Sequence, residues 1–320
     1  MPSVLDTLAA HSDNPSSFLA LNSGNTYFRD HRFDGACAYL TSGCHVFQFG
    51  GPFTAPQNRA RLLEAFVAHA GKRLVAVQLQ RADAELYAAH GFTVNQVGAS
   101  YAVDLSRFTL RGSRFVRLRN KISRARRAGL EITETHAGED CSELDHLDQR
   151  WLRDKGRHVK ELRFLVGQRD GPLQKHRRLF VGRIDGQVVG YINYSPVYGS
   201  RPGWLHDLSR RRPDAPPGVM EALNATVIDR LTQEGAGWLH FGFTPFTGLD
   251  PAHEMPGASR MFVRFTRLLA QYGESVYPAA SQLEYKEKWA PHAVLPEYIA
   301  FLGKPRLRAV WRLLRATNAV

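Results

Sequence analysis

What this chain has little of narrows it first. Its three cysteines, Cys37, Cys44 and Cys141, are scattered over 320 residues, too few for a disulfide framework. No C-x-x-C, no H-E-x-x-H and no structural-zinc spacing occurs, so no metal is expected. No apolar run reaches the ~18 residues of a membrane span. The N-terminal stretch carries Asp6, His11 and Asp13, which excludes a signal peptide there. A soluble, cytoplasmic protein is expected, with surface contact to a membrane left open. Low-complexity tracts are missing as well, and 43% hydrophobic content is enough to build packed interiors.

Acid is scarce relative to base. Against 30 Asp and Glu stand 42 Lys and Arg, for a formal net charge of +12, and only 8 of the basic residues are lysine. Such a surplus attracts polyanions: nucleic acid, anionic headgroups or phosphorylated substrates. The preference for arginine suits bidentate phosphate binding, and it suits a GC-rich genome equally well. The length divides comfortably into two cores.

From Phe18 to Pro56, short apolar runs broken by glycine and polar turns read as β-rich. Leu62, Leu63, Phe66 and Val67 then recur at helical spacing up to Gly71, followed by a buried strand at Leu74–Val77. A helix over Ala82–Ala89, the Gly91-Phe92 step and a strand at Tyr101–Leu105 complete an order typical of the back half of an acetyltransferase-like fold. The second half repeats the type. Leu179–Ile184 and Gln187–Ile192 flank Asp185-Gly186, a two-residue hairpin signal. A strand at Gly203–Asp207, a helix over Pro217–Gln233 and a strand at Trp238–Phe243 follow. The expectation is an α/β (α+β) chain of tandem acetyltransferase-like (GNAT) domains, 1–108 and 131–320, joined by a basic helix at 109–130.

That joining segment holds Arg111, Arg114, Arg117, Arg119, Lys121, Arg124, Arg126 and Arg127 with no acid among them. On a helix, Phe115, Leu118, Ile122 and Ala125 form an apolar stripe, while Arg114, Arg117, Lys121 and Arg124 line the neighbouring face. Unopposed cations repel one another, and a phosphate backbone would relieve that cost. The acidic run Glu139, Asp140, Glu143, Asp145 and Asp148 reads as structural, screening the basic helix.

A second anion site is expected between a strand and a helix N-terminus, where Arg210, Arg211 and Arg212 precede Asp214 and Gly218. Only Gly218 is free of side chain there and prolines crowd it, so the loop offers few amides to a CoA pyrophosphate. His206 and His240 read as ordinary strand histidines.

The stretches "DLSRRRPDAPPGVMEAL" (Asp207–Leu223), "FGFTPFTGL" (Phe241–Leu249) and "YKEKWAP" (Tyr285–Pro291) resemble the catalytic domain of the lysyl/alanyl-phosphatidylglycerol synthases. Weaker likeness appears at Phe115–Leu130, Arg150–Gly156 and Phe164–Asp170, and the resemblance runs from about Phe18 to Leu302. It implies two fused acetyltransferase-like domains and a basic helix that meets a tRNA acceptor stem. It also implies aminoacyl-tRNA as co-substrate, with no other cofactor. Members commonly carry an N-terminal multi-span membrane domain, which is not seen here. His292-Ala293-Val294 also departs from the family's usual aromatic. Both departures turn the expectation toward soluble relatives that load small molecules or peptides, beside a lipid.

An aminoacyl ester is already activated, so the enzyme positions it, takes a proton from the attacking hydroxyl or amine and stabilises the oxyanion. Asp207 is the candidate for proton handling or for holding the donor's α-ammonium. Arg210, Lys286 and Lys288 are candidates for the terminal adenosine phosphates or the oxyanion, and Glu221 for reading the donor amino acid. Arg211, Arg212, Asp214 and Gly218 complete the expected substrate site. A CoA-dependent N-acyltransferase and a non-catalytic RNA-binding module are the alternatives. The terminal segment, with Arg306, Arg308, Arg312 and Arg315 among Leu307, Val310, Trp311 and Leu314, suits an anionic membrane or docking on the core with cations offered to RNA.

Overall fold

A computed structural model describes residues 2–71, 73–135, 141–155, 163–169, 171, 173–272 and 279–318. After helix α1 (Val4–His11), a meander of β1 (Thr26–Phe28), β2 (Gly35–Ser42) and β3 (His45–Thr54) leads through α2 (Arg59–Ala70) to β4 (Leu74–Leu79). Helix α3 (Arg81–Ala89) and the long β5 (Phe92–Asp104) follow, then α4 (Val116–Arg127). The second half repeats the scheme with β6 (Glu131–Thr135), α5 (Cys141–Lys155), β7 (Arg178–Ile184), β8 (Gln187–Val197) and β9 (Gly203–Arg211). Helix α6 (Val219–Gln233) then carries the chain to β10 (Trp238–Pro245). The chain continues through α7 (Arg260–Tyr272), α8 (Ala279–Glu287), β11 (Ala293–Leu302) and α9 (Leu307–Ala316).

In each half an antiparallel meander ends in a parallel strand–helix–strand unit: β3 runs parallel to β4 across α2, and β9 runs parallel to β10 across α6. The repeat is the tandem acetyltransferase-like architecture. The two meanders do not form separate sheets. Among the described residues eleven strands form one sheet in the order β1-β2-β3-β4-β11-β5-β10-β9-β8-β7-β6. Strand β11 lies between β4 and β5, so the stretch 131–320 supplies a strand to the N-terminal half. The expected boundary near 130 therefore divides the chain and not the sheet. A long-range strand of this kind leaves no mark in local periodicity.

One face of the sheet is covered by α2 and α3 over the first half and by α4 and α6 over the second. The opposite face carries α1, α7 and α9 over the first half and α5 over the second. The hairpin of β7 and β8 turns on Asp185 (φ 50°) and Gly186 (φ 74°), both left-handed as a type I′ turn demands. No helix among the described residues is long and apolar enough to cross a membrane.

Candidate active site

Asp207 does not sit at a strand end as expected; it lies within β9. Along the β8–β9 ladder Asn193 faces Leu208 and Tyr194 faces His206, so Asp207 is the extra residue of a β-bulge. The bulge reverses the alternation beyond it. In a regular strand, residues 207 and 210 would point to opposite faces; here both lie on the α5 side. His206, one residue earlier, points to the other face among Tyr194, Phe241 and Tyr285.

The Asp207 side chain is wholly buried, as is that of Arg177 opposite it at 3.7 Å. Ser195 donates its hydroxyl to Asp207 Oδ2, and Arg177 Nε donates to Ser195 Oγ at 3.2 Å. Arg177 reaches on to Asn22 Oδ1 at 3.0 Å and lies over the Phe18 ring, so the first half of the chain anchors this site. Asp207 Oδ1 has no hydrogen-bond partner among the described residues. Burial raises the carboxyl to about 7, outweighing the Arg177 charge, the Ser195 hydrogen bond and the backbone N–H groups of Asp207 and Leu208. The loop at 163–169 closes over it. Gly167 N–H donates to the Asp207 carbonyl at 3.1 Å, and a Cβ at Gly167 would come within 2.4 Å of the carboxyl carbon. Asn22 and Asn193 pin this loop through its carbonyls at 166 and 168, at 2.7 and 2.8 Å.

Arg210 stacks its guanidinium on Trp151 of α5, 4.0 Å from the ring centroid. The acids of α5 do not screen the basic helix. Asp145 and Asp148 bind Arg169, Glu143 binds Arg183 at 2.7 Å, and Tyr191 donates to Asp148 at 2.7 Å. Glu139, Asp140, Gly156 and Asp170 of the sequence expectations lie outside the described residues.

Lys286 belongs to a different place. It is buried on the α4–α6 side over Tyr101 and donates to the carbonyls of Gly242 and Phe243 at 2.7 and 3.1 Å, beside a bulge in β10. Burial lowers its ammonium to about 7 against the opposing charge of Glu297. Glu297 in turn is raised to about 7 by burial, with Ser100 and Lys286 pulling the other way. Burial, then Lys286, lowers His206 to about 3 against its Asn224 partner, so its imidazole is neutral. His240, at about 4 through burial, is neutral too.

Several expected substrate contacts are spent within the protein. Arg212 forks onto Asp214 at 2.9 and 2.6 Å, while Arg211 is exposed at the rim. Glu221 is a buried bracket that receives Lys121 at 3.4 Å and Lys288 at 3.6 Å. Gly218 (φ 95°) holds the N-terminus of α6 against α4, since a Cβ there would lie 2.1 Å from the Lys121 carbonyl oxygen.

The basic segment begins its regular helix only at Val116, after a 3-10 turn over Ser113–Phe115. Phe115, Leu118, Ile122 and Ala125 are buried as the stripe requires. Arg111, Arg114, Arg117, Arg124, Arg126 and Arg127 are exposed. Arg119 instead donates to the Gly112 carbonyl at 2.8 Å, and Lys121 is tied to Glu221. An open depression of about 480 Å³ lies at its start, lined by Thr109, Leu110, Arg111, Gly112 and Arg119. For the RNA partner proposed below, replacing Arg117, Arg124 and Arg127 together by glutamine is expected to weaken binding and to lower the slope of log K against log salt by about 0.7–0.9 per lost phosphate contact. Salt-titrated binding measures it, and Arg119→Gln is expected to alter thermal stability instead.

Residues 6–301 match the model of the family described as phosphatidylglycerol lysyltransferase, C-terminal. The chain belongs to that family. A phosphatidylglycerol lysyltransferase of Bacillus subtilis is 28% identical over 250 residues, covering 76% of this chain and 28% of that protein. The chain thus spans little more than a quarter of the length of this curated relative. The structure of L-PGS from Bacillus licheniformis superposes with a TM-score of 0.81 at 22% identity, over 99% of this chain and 96% of that one. The C-terminal domain of a protein named as a lysylphosphatidylglycerol synthetase from Agrobacterium fabrum gives 0.79 at 22%, over 98% and 94%.

Within this lysyltransferase-family chain, sequence inspection passed over Arg177, Ser195, Gly167 and Glu297. Glu297 carried a signal, as the only acid in the apolar run Ala293–Leu302. Arg177 and Ser195 carried none, because only the folded sheet brings them to Asp207.

Proposed function

We propose that this chain is an aminoacyltransferase that moves an amino acid from a charged tRNA to the hydroxyl of a phosphatidylglycerol-type lipid. The observation that carries the reading is a wholly buried Asp207, with one carboxylate oxygen lacking a hydrogen-bond partner among the described residues, on the same sheet face as Arg210. Its pKa near 7 matches that of an efficient general base. The acceptor oxygen attacks the ester carbonyl while Asp207 takes its proton. Collapse of the tetrahedral intermediate expels the ribose oxygen, to which the proton returns. Arg210, held by Trp151, is the cation for the developing oxyanion or the terminal phosphate. Lys286, which donates to the carbonyls of Gly242 and Phe243 beside the β10 bulge, has a positioning role. The six exposed arginines of the basic segment support contact with the acceptor stem. Family membership, together with the name of the B. subtilis relative, supports the lipid acceptor.

The test is transfer from a mixed pool of radiolabelled aminoacyl-tRNAs, with lipid extract or soluble metabolite extract as acceptor. Label entering the lipid fraction, and lost in Asp207→Asn, is the expected result. Label entering only a soluble metabolite or peptide would overturn the lipid acceptor. Consumption of acetyl-CoA without transfer from any tRNA would overturn the donor.

A further inference from the structure

Seven large hydrophobic side chains stand out as exposed among the described residues, and five of them belong to two helices. Helix α7 shows Met261 at 68%, Leu268 at 56% and Tyr272 at 68%, and α9 shows Leu307 at 63% and Trp311 at 53%. Both helices dock on the same sheet face and share one core. Phe262 packs against Phe301 at 5.4 Å between centroids, and Ala309 and Leu313 are buried in the same cluster. What each helix turns outward is therefore set by the docking beneath it. Outward also go Arg260, Arg264 and Arg267 from α7, and Arg306, Arg308 and Arg315 from α9 and its lead-in. Neither helix contains an aspartate or glutamate. The cationic field is felt at His45 in β3, whose imidazole is lowered first by burial and then by Arg73, Arg308, Arg312 and Arg306.

We infer that the outer faces of α7 and α9, on one side of the sheet, seat the protein on an anionic membrane, with Trp311, Leu307, Met261 and Leu268 entering the headgroup boundary and the arginines meeting lipid phosphates. Cations beside aromatic and aliphatic side chains on a surface helix match an interfacial lipid environment, which buries the apolar part and neutralises the charge. RNA would satisfy the arginines and stack on Trp311, yet it offers nothing to Leu268, Leu307 or Met261. A second copy of the chain would set two like-charged faces against each other. For its purpose the inference rests on the proposed lipid acceptor; vesicle binding is measured without aminoacyl transfer, so the two fail separately.

The experiment is co-sedimentation of the full chain with phosphatidylglycerol vesicles and with phosphatidylcholine vesicles, at two salt concentrations. Wild type is expected to bind the anionic vesicles at least about tenfold more tightly than the neutral ones, the difference shrinking at high salt. Trp311→Ser with Leu268→Ser, and separately Arg264→Gln with Arg308→Gln, are each expected to weaken that binding, the arginine pair by about fivefold per residue. All four side chains are exposed, so circular dichroism and binding of tRNA should match wild type. Equal binding to both vesicle types, or serine variants that bind like wild type, would overturn the proposal. So would variants that lose tRNA binding and keep vesicle binding, which would assign the face to RNA.

Discussion

On the proposed mechanism, Asp207→Asn is expected to lower the transfer rate by about two to four orders of magnitude, the range for loss of a positioned general base, while leaving the fold as stable as before or more so. The two effects separate because the burden Asp207 places on the fold is its charge. Its carboxyl is raised from 3.8 to about 7 by burial, so the folded state holds the proton more tightly than the unfolded chain does. Linkage then gives the sign: the destabilising contribution is absent below pH 3.8, grows as pH rises toward 7 and is constant above it. Asparagine removes that charge and keeps an oxygen for Ser195 and Arg177. Thermal unfolding at pH 5 and pH 8 should show the variant gaining on wild type at the higher pH. The wild-type rate should climb with pH through about 7, where the base loses its proton. A variant that unfolds in proportion to its lost activity at both pH values would make Asp207 a structural residue.

The elements that sequence made legible are those whose signals are local. The Asp185-Gly186 hairpin, α6 and the run of β4, α3 and β5 each follow from turn chemistry or from periodicity within a dozen residues. The bulge at Asp207 is a property of pairing and not of one strand, so no single-strand pattern announces that residues 207 and 210 share a face. The placement of β11 between β4 and β5 joins segments about two hundred residues apart. One split was legible and overlooked. Lys286 and Lys288 stand two apart at a helix end, and such positions do not face each other. One is buried over the Tyr101 ring; the other reaches Glu221. Likewise, eight cations in one segment read as one surface, whereas the exposed backbone carbonyl of Gly112 and the buried carboxylate of Glu221 claim two of them.

Gly218→Ala is expected to cost the fold heavily. At φ 95° a Cβ carries a penalty of about 1 kcal/mol for the left-handed backbone alone. The new carbon would also meet the Lys121 carbonyl oxygen at 2.1 Å, and backbone of α4 cannot rotate aside as a side chain would. Relief requires α4 to lift from α6, which uncovers Leu118 and Ile122 and stretches the Lys121–Glu221 pair. The expected loss is about 3 kcal/mol or more, within the range of severe overpacking. Gly186→Ala supplies the control, because Gly186 has a left-handed φ of 74° with open space around its would-be Cβ. It should lose only about 1 kcal/mol. Urea unfolding of both variants measures the difference. If the losses are equal, the close seating of α4 on α6 is not what fixes Gly218; a large excess at Gly218 makes that contact the joint that holds the basic helix in place.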